Sequence, residues 1–235
     1  MNSAQAAGVQ PVVCDEWQKR RIERALAAMS GVAVASKAHR VLRKMQPMSS
    51  AFPVLHTPRL VLRELVAGDA PALFAIHADA AAMRWFGADP PDSVMQVEQL
   101  IAAFAAARLQ ATPATRWGVV RRSDGALLGS CGLFRWNRSW QSAGVGYELA
   151  RSAQGQGLMS EAVKAVLQHG RLSLQLERVD ATVHPDNAPS IALLERLGFV
   201  REGLLRQAGR WAGARHDLLV FGLLLNGPST STAHA

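Results

Sequence analysis

Apolar and polar positions change period several times along the chain, and each change marks an element. Arg59 to Arg63 alternates charged and apolar residues, which predicts a half-buried strand. Asp69 is placed to cap a helix carrying Leu73, Phe74 and Ile76 on its inner face. Ser93 and Gln96 have the spacing of a capping box, and Val97, Leu100, Ile101, Phe104 and Arg108 after them follow the helical period. Trp117 to Val120 and Ala126 to Phe134 read as the two strands of a hairpin turned at Ser123-Asp124-Gly125, with Ala143 to Leu149 as a third strand. Glu161 to Leu174 is helical, Val179 to Val183 is a strand, and Ser190 to Leu197 is a short helix ended by Gly198. Phe199 starts another strand, and the apolar run in Asp217 to Leu225 predicts a last one buried on both faces. This order implies an α/β or α+β fold, a mixed sheet covered by helices.

Composition narrows the setting. A chain of 235 residues that is 49% apolar has enough material for one large domain and is not a disordered chain. No apolar run approaches the roughly 20 residues of a bilayer span, and the first residues lack the basic start and apolar core of a secretory signal. Cys14 and Cys131 make neither a disulfide framework nor a metal-ligand spacing, so the expectation is a reducing, cytoplasmic compartment and no metal.

The net charge of +8 is unevenly placed. Up to Pro58, eight basic residues face three acidic ones, giving +5; the remainder, 18 against 15, carries +3. Residues 1–58 therefore read as a basic extension and linker, with short helices at Asp15 to Met29 and Ser36 to Met45 and linker residues around Pro47, Ser49, Ser50 and Pro53. This extension fits a flexible segment, an arm for RNA or an acidic partner, or a stretch preceding a translation start at Met48. Residues 59–226 form the expected domain, and 227–235 a frayed tail. Nucleic-acid binding outside the extension is not indicated.

The segment richest in chemistry is Gln154-Gly-Gln-Gly-Leu-Met159, between a strand and an amphipathic helix. Its glycines allow positive φ and close backbone approach, and the free N–H groups of the helix start suit a phosphate or pyrophosphate. It has no Lys-Ser/Thr pair and no third glycine, so it is neither a nucleotide P-loop nor a dinucleotide fingerprint. From spacing alone, a plain tight turn serves as well as a phosphate site.

This segment resembles the acetyl-CoA loop of the GNAT N-acetyltransferases, Gln/Arg-x-x-Gly-x-Gly/Ala, with Gln154 and Gly157 matching and Met159 in place of the usual small residue. Thr57-Pro-Arg-Leu-Val-Leu-Arg63 with Gly68-Asp69, Met83-Arg-Trp-Phe-Gly87, Gly129 to Leu133, Val145-Gly-Tyr-Glu-Leu149, Asn187-Ala-Pro-Ser190 and Leu193-Leu-Glu-Arg-Leu-Gly-Phe199 are similar, in order, to its Rim-type branch, the ribosomal-protein-alanine acetyltransferases and relatives. The resemblance covers roughly Arg59 to Leu225. It implies a mixed, mostly antiparallel sheet with splayed central strands, helices on both faces, and acetyl-CoA as cosubstrate with its pantetheine between the strands.

By that resemblance, backbone groups at Tyr147 and Leu149 meet the pantetheine, and one N–H polarises the thioester carbonyl. Gln154, Gly155, Gln156, Gly157, Leu158 and Met159 hold the pyrophosphate, and Asn187 bonds the cofactor arm. Glu148 is a base candidate, although strand alternation can also turn it away from the amine; the earlier strand position where the family often has glutamate is Gly144. The family's helix tyrosine is replaced by Leu194, which leaves Ser190 either as proton donor or simply as helix cap. Trp85, Phe86, Trp117 and Trp136 line an acceptor groove or pack in the core, and Trp211, with His216 and Asp217, borders the acceptor site. His184 reads as structural. Cys131 lies in a buried strand, which disfavours a covalent route.

The expectation is an N-acetyltransferase acting by direct attack in a ternary complex, as monomer or homodimer, on a protein N-terminal amine. Its alternatives are a small-molecule amine acetyltransferase (amino acid, polyamine or antibiotic) and a non-catalytic CoA- or RNA-binding module.

Overall fold

The computed structural model describes residues 51–110 and 112–226. The expected helices and most of the linker of the basic extension, the Met48 start and the tail at 227–235 lie outside them. The chain divides between Ala51 and Phe52 rather than near Pro58, because residues 52–58 are built into the domain. Phe52 packs edge-on against Trp117 at 6.0 Å between ring centres. The Trp117 indole N–H donates to the Pro53 carbonyl at 2.7 Å.

A short strand, β1 (Leu55–His56), pairs with β2 (Leu60–Glu64). Three helices follow: α1 (Ala70–His77), α2 (Ala80–Met83) and α3 (Val94–Ala107). Next come β3 (Thr115–Arg121), β4 (Leu127–Asn137) and β5 (Ser142–Leu149), then α4 (Leu158–Ser173), β6 (Arg178–Val183), α5 (Ala188–Arg196), β7 (Val200–Trp211) and β8 (Ala214–Leu224). The eight strands form one sheet in the order β1-β2-β3-β4-β5-β6-β8-β7. Only β5 and β6 run parallel; the other neighbours are antiparallel, as the resemblance implied.

Strand alternation assigns a core to each face. On one side Leu60, Leu62, Trp117, Val119, Cys131, Leu133, Val145 and Val179 meet Ala162, Val163, Val166 and Leu167 of α4 and Leu194 of α5. On the other, Leu65 packs with Ala70 and Leu73 of α1 and Val97 and Ile101 of α3. Trp117 has no exposed surface and belongs to the core, not to an acceptor groove.

Three local expectations change. Asp69 stands at the N-cap of α1, but its carboxylate accepts from Val66 N at 2.9 Å and pairs with Arg63 at 2.7 and 2.8 Å instead of capping the helix. Only half of the capping box at α3 forms: Ser93 Oγ accepts from Gln96 N, whereas Gln96 Oε1 accepts from Asp92 N. In β8, Leu219 and Phe221 are buried while Leu218 and Val220 on the opposite face are half-exposed. One face of this strand is therefore open, because α1 and α3 cover the other end of the sheet.

Candidate active site

β5 and β6 are paired only through Ser142↔Arg178, Ala143↔Val179 and Gly144↔Asp180, after which they diverge. Ala150 N donates to Leu128 O on the β4 side. By the two-residue alternation of an antiparallel ladder, the backbone groups of Tyr147 and Leu149 face the other way, into the gap. An extended ligand carrying amides finds strand-like partners there. The Leu149 carbonyl is taken by the Gln154 side-chain amide at 3.0 Å, so Gln154 ties the loop to the end of β5.

The loop at the open end of the gap has the expected backbone. Gly155 (φ +74°) and Gly157 (φ +72°) are left-handed, and neither has a backbone neighbour against a would-be Cβ. Gly157 is the N-cap of α4 and offers no side chain to its first N–H groups. The first bond into the helix is Glu161 N to Gly157 O. The amides at 158–160 thus remain for an anion, beside the positive end of the helix dipole. Leu158 and Met159 are buried and contribute only backbone; the large side chain of Met159 anchors the helix in the core. Gln156 folds back, its amide donating to Ser152 O at 2.9 Å.

Below the gap, α5 presents Asn187 and Ser190. Asn187 Oδ1 accepts from Ser190 N at 3.3 Å, so Asn187 is the cap and Ser190 is not. This frees the Ser190 hydroxyl, which lies 2.7 Å from the Tyr147 hydroxyl. Burial pushes the Tyr147 phenol up to about 12, against the opposing effect of the Ser190 hydrogen bond, so it keeps its proton at neutral pH. The sequence marked Tyr147 only for its backbone. Its hydroxyl meets α5 at Ser190, whereas Leu194 is buried in the core.

Glu148 points to the opposite face and is buried. It pairs with Arg116 and accepts from the Ser130 hydroxyl. His77 Nε2 stands 3.6 Å from Oε1, beyond hydrogen-bond distance. Burial works against the charge, but the Arg116 guanidinium, with His77 and Ser130, outweighs it and holds the carboxyl below its ordinary range. The geometry argues against the base role expected of Glu148: both oxygens are engaged and the group is reluctant to take a proton. At Gly144 a Cβ would meet the Phe134 ring at 2.7 Å, so any larger residue there would have to displace that ring.

The expected acceptor aromatics separate. Trp85 stacks on His184 at 3.8 Å, Trp211 stacks on His216 at 3.8 Å, and the two imidazoles lie 5.3 Å apart. Phe86 packs on His77 at 5.2 Å. This cluster stands at the C-terminal end of β6, the end at which the gap is open. Trp136 is not part of it. It lies beside the paired start of β5, partly buried against the core, because β4 runs antiparallel to β5 and carries it to the far end. Sequence reasoning set His184 aside as structural; here it joins the β6–α5 loop to the segment after α2 and to the β7–β8 hairpin. Among the described residues, no group of three or more His, Cys, Asp or Glu is placed to hold a metal ion. No helix among them is long and apolar enough to cross a membrane.

The acetyltransferase (GNAT) domain profile matches residues 59–200. The chain belongs to the GNAT acetyltransferase family. It is an N-acetyltransferase. It is 34% identical over 173 residues to an uncharacterized N-acetyltransferase, YoaA, of Bacillus subtilis, covering 74% of this chain and 97% of that protein. A shorter match, 34% over 86 residues and 37% of this chain, joins it to 48% of the ribosomal-protein-serine acetyltransferase of Escherichia coli. Among solved structures, Mycobacterium smegmatis RimJ in complex with CoA-disulfide superposes with a TM-score of 0.67 at 26% identity, covering 74% of this chain and 87% of that one. This GNAT fold is the frame in which the gap, the glycine loop and the hydroxyl pair sit.

Proposed function

We propose that this GNAT enzyme transfers acetyl from acetyl-CoA to a protein N-terminal α-amine by direct attack within a ternary complex. The observation that carries the reading is the gap between β5 and β6, with one wall of β5 left without a strand partner past Gly144 and a left-handed glycine loop at its mouth. The residues fit the two ends of acetyl-CoA: strand-like partners for the pantetheine amides, and free helix N–H groups for the pyrophosphate. When bound, acetyl-CoA supplies an activated acyl group.

The chain's own residues then have separable tasks. The N–H of Tyr147 or Leu149 donates to the thioester carbonyl and stabilises the charge that develops there, an effect of about 3–4 kcal/mol for one such donor. Asn187 caps α5 and holds the cofactor arm. The Ser190 hydroxyl, backed by Tyr147, donates a proton to the departing thiolate. The attacking amine needs no strong base, because a protein α-amino group titrates near ~7.7–8; the proton it sheds as the amide forms replaces the one Ser190 gives to the thiolate. Glu148 stays with Arg116 and orders the sheet under the site. Trp85, Phe86 and Trp211 wall the acceptor side.

A protein acceptor is supported by one relative: the matched Escherichia coli protein is a ribosomal-protein-serine acetyltransferase.

The test is release of free thiol from acetyl-CoA against a panel of acceptors. It contains peptides with free N-termini, the same peptides N-blocked but carrying lysine, amino acids, polyamines and aminoglycosides. Turnover confined to free peptide N-termini supports the reading. Turnover only with small amines replaces the acceptor, and acetyl-CoA binding without turnover on any amine ends the enzymatic part.

A further inference from the structure

Before β2 begins, residues Thr57 and Arg59 reach across to the mouth of the glycine loop. Thr57 Oγ1 donates to Glu161 Oε1 at 2.6 Å, and Arg59 N donates to the same oxygen at 2.9 Å. Arg59 Nε donates to Glu161 Oε2 at 2.7 Å, and Nη1 donates to the Gln156 carbonyl at 2.9 Å. The third guanidinium nitrogen, Nη2, has no hydrogen-bond partner among the described residues. It stands 3.7 Å from the position a Cβ on Gly157 would take. The Arg59 side chain is half-exposed while Glu161 is largely covered.

Two physical points give this arrangement a purpose. Glu161 lies in the first turn of α4, where a carboxylate is favourable to the helix dipole. The same charge opposes a phosphate bound at that helix start. Thr57 and Arg59 engage both of its oxygens and offset it. The guanidinium is also rigid: fixing Nε and Nη1 fixes where the Nη2 hydrogens point, so that donor is ordered before any ligand arrives. It is ordered beside the backbone that the loop presents to an anion.

We propose that Arg59 is a phosphate-binding residue of the cosubstrate site, its Nη2 gripping a phosphate oxygen of acetyl-CoA while Nε and Nη1 hold the loop. This rests on the acetyl-CoA reading above. The phosphate is that of the pyrophosphate or the 3′-phosphate, both anions within the same cosubstrate. A merely structural clasp would place the loop without touching the ligand.

The experiment compares the wild-type chain with Arg59→Gln and Arg59→Lys on three acyl donors: acetyl-CoA, 3′-dephospho-acetyl-CoA and the phosphate-free S-acetylpantetheine. Direct binding of CoA is measured by calorimetry alongside. Arg59→Gln is expected to raise KM for acetyl-CoA about tenfold with kcat within about twofold, the loss of one charge-assisted contact. On S-acetylpantetheine its kcat/KM stays at the wild-type value. Arg59→Lys keeps the charge but not the fork and falls between. An effect that persists on 3′-dephospho-acetyl-CoA assigns the contact to the pyrophosphate; one that vanishes there assigns it to the 3′-phosphate. Equal losses on S-acetylpantetheine and acetyl-CoA, or an unchanged KM, overturn the proposal. Wild-type protein that binds no CoA overturns the cosubstrate reading itself, whereas wild-type binding left intact in Arg59→Gln overturns only the role of Arg59.

Discussion

The hydroxyls of Tyr147 and Ser190, 43 residues apart in sequence, lie 2.7 Å from one another where β5 and α5 meet beneath the gap. One hydroxyl can donate to the other and leave it a proton to give. Burial keeps the phenol protonated well above neutral pH, so the pair acts as a donor, not a base. Ser190→Ala and Tyr147→Phe should each lower kcat by roughly 10²-fold while KM for acetyl-CoA stays within a few-fold, the size of effect general acid catalysis supplies. The double variant should be no slower than the slower single, since the two act as a unit. Steady-state kinetics check this; fully additive losses, or a change in stability without one in kcat, would remove the pair from the reaction.

Glu148 separates structure from catalysis. It is buried, ion-paired to Arg116 and bonded to Ser130. Removing one partner of a buried pair leaves an uncompensated charge, at a cost of about 3–5 kcal/mol. Glu148→Gln should therefore lower stability by that order in a denaturant titration, while kcat of the folded fraction stays within about threefold. Because its carboxyl is held below the ordinary range, this stabilisation is present above the unfolded value near ~4.3 and fades as pH falls below it. A loss of several orders of magnitude in kcat at unchanged stability would restore Glu148 as the base.

Much of this arrangement is legible in the residues, and what is not has a definite cause. The glycine loop can be read because Gly155 and Gly157 need a left-handed backbone, which few other residues adopt. The strand beginning in Arg59 to Arg63 and the amphipathic α4 follow from periodicity, because each buries one face. What hydrogen bonds over long separations decide stays hidden. Glu161, 102 residues from Arg59, looks like an ordinary first-turn acid until its partners are seen. Asn187 and Ser190 are both good caps by type, and only the folded turn shows that Asn187 takes the role and frees Ser190. Trp85, Trp136 and Trp211 have equal aromatic character in the sequence. Strand direction sends Trp136 to the closed end of β5 and brings the other two together at the open end.

The loop itself gives a third prediction. Gly157 at φ +72° lets the chain turn into α4 with its amides exposed. An aspartate there takes a left-handed conformation at a cost of about 1 kcal/mol and sets a carboxylate where a phosphate is to lie. Gly157→Asp should weaken CoA binding at least about tenfold, by the repulsion of like charges near a protein surface. Gly157→Ala, which adds the strain without the charge, should cost less. Calorimetric titration with CoA distinguishes them, and equal affinity of Gly157→Asp and wild type would take the loop out of the cosubstrate site.

His184 joins the turn before α5 to the Trp85 and Trp211 rings, and its protonation should loosen that joint. Its Nδ1 accepts from Asp186 N at 3.1 Å and its carbonyl accepts from Asn187 N at 2.9 Å, so it shapes the turn that carries Asn187 and Ser190. Its ring is held between Trp85 and the Trp211–His216 stack. Burial lowers its pKa, with His216 and the Arg84 charge acting in the same direction and Asp186 and Asp217 opposing. The unfolded chain therefore takes up this proton more readily than the folded one. The stacking contribution is complete above the ordinary imidazole value near ~6.5 and is lost as pH falls through it toward the lower folded value. Melting temperature should drop between pH 7.5 and 5.5, and His184→Phe, which keeps a ring but cannot titrate, should show a shallower drop. The same variant loses the Nδ1 acceptor, so its KM for acetyl-CoA should rise a few-fold through the loosened Asn187 turn. Equal pH slopes for the two proteins would mean that this imidazole is not what couples the joint to pH.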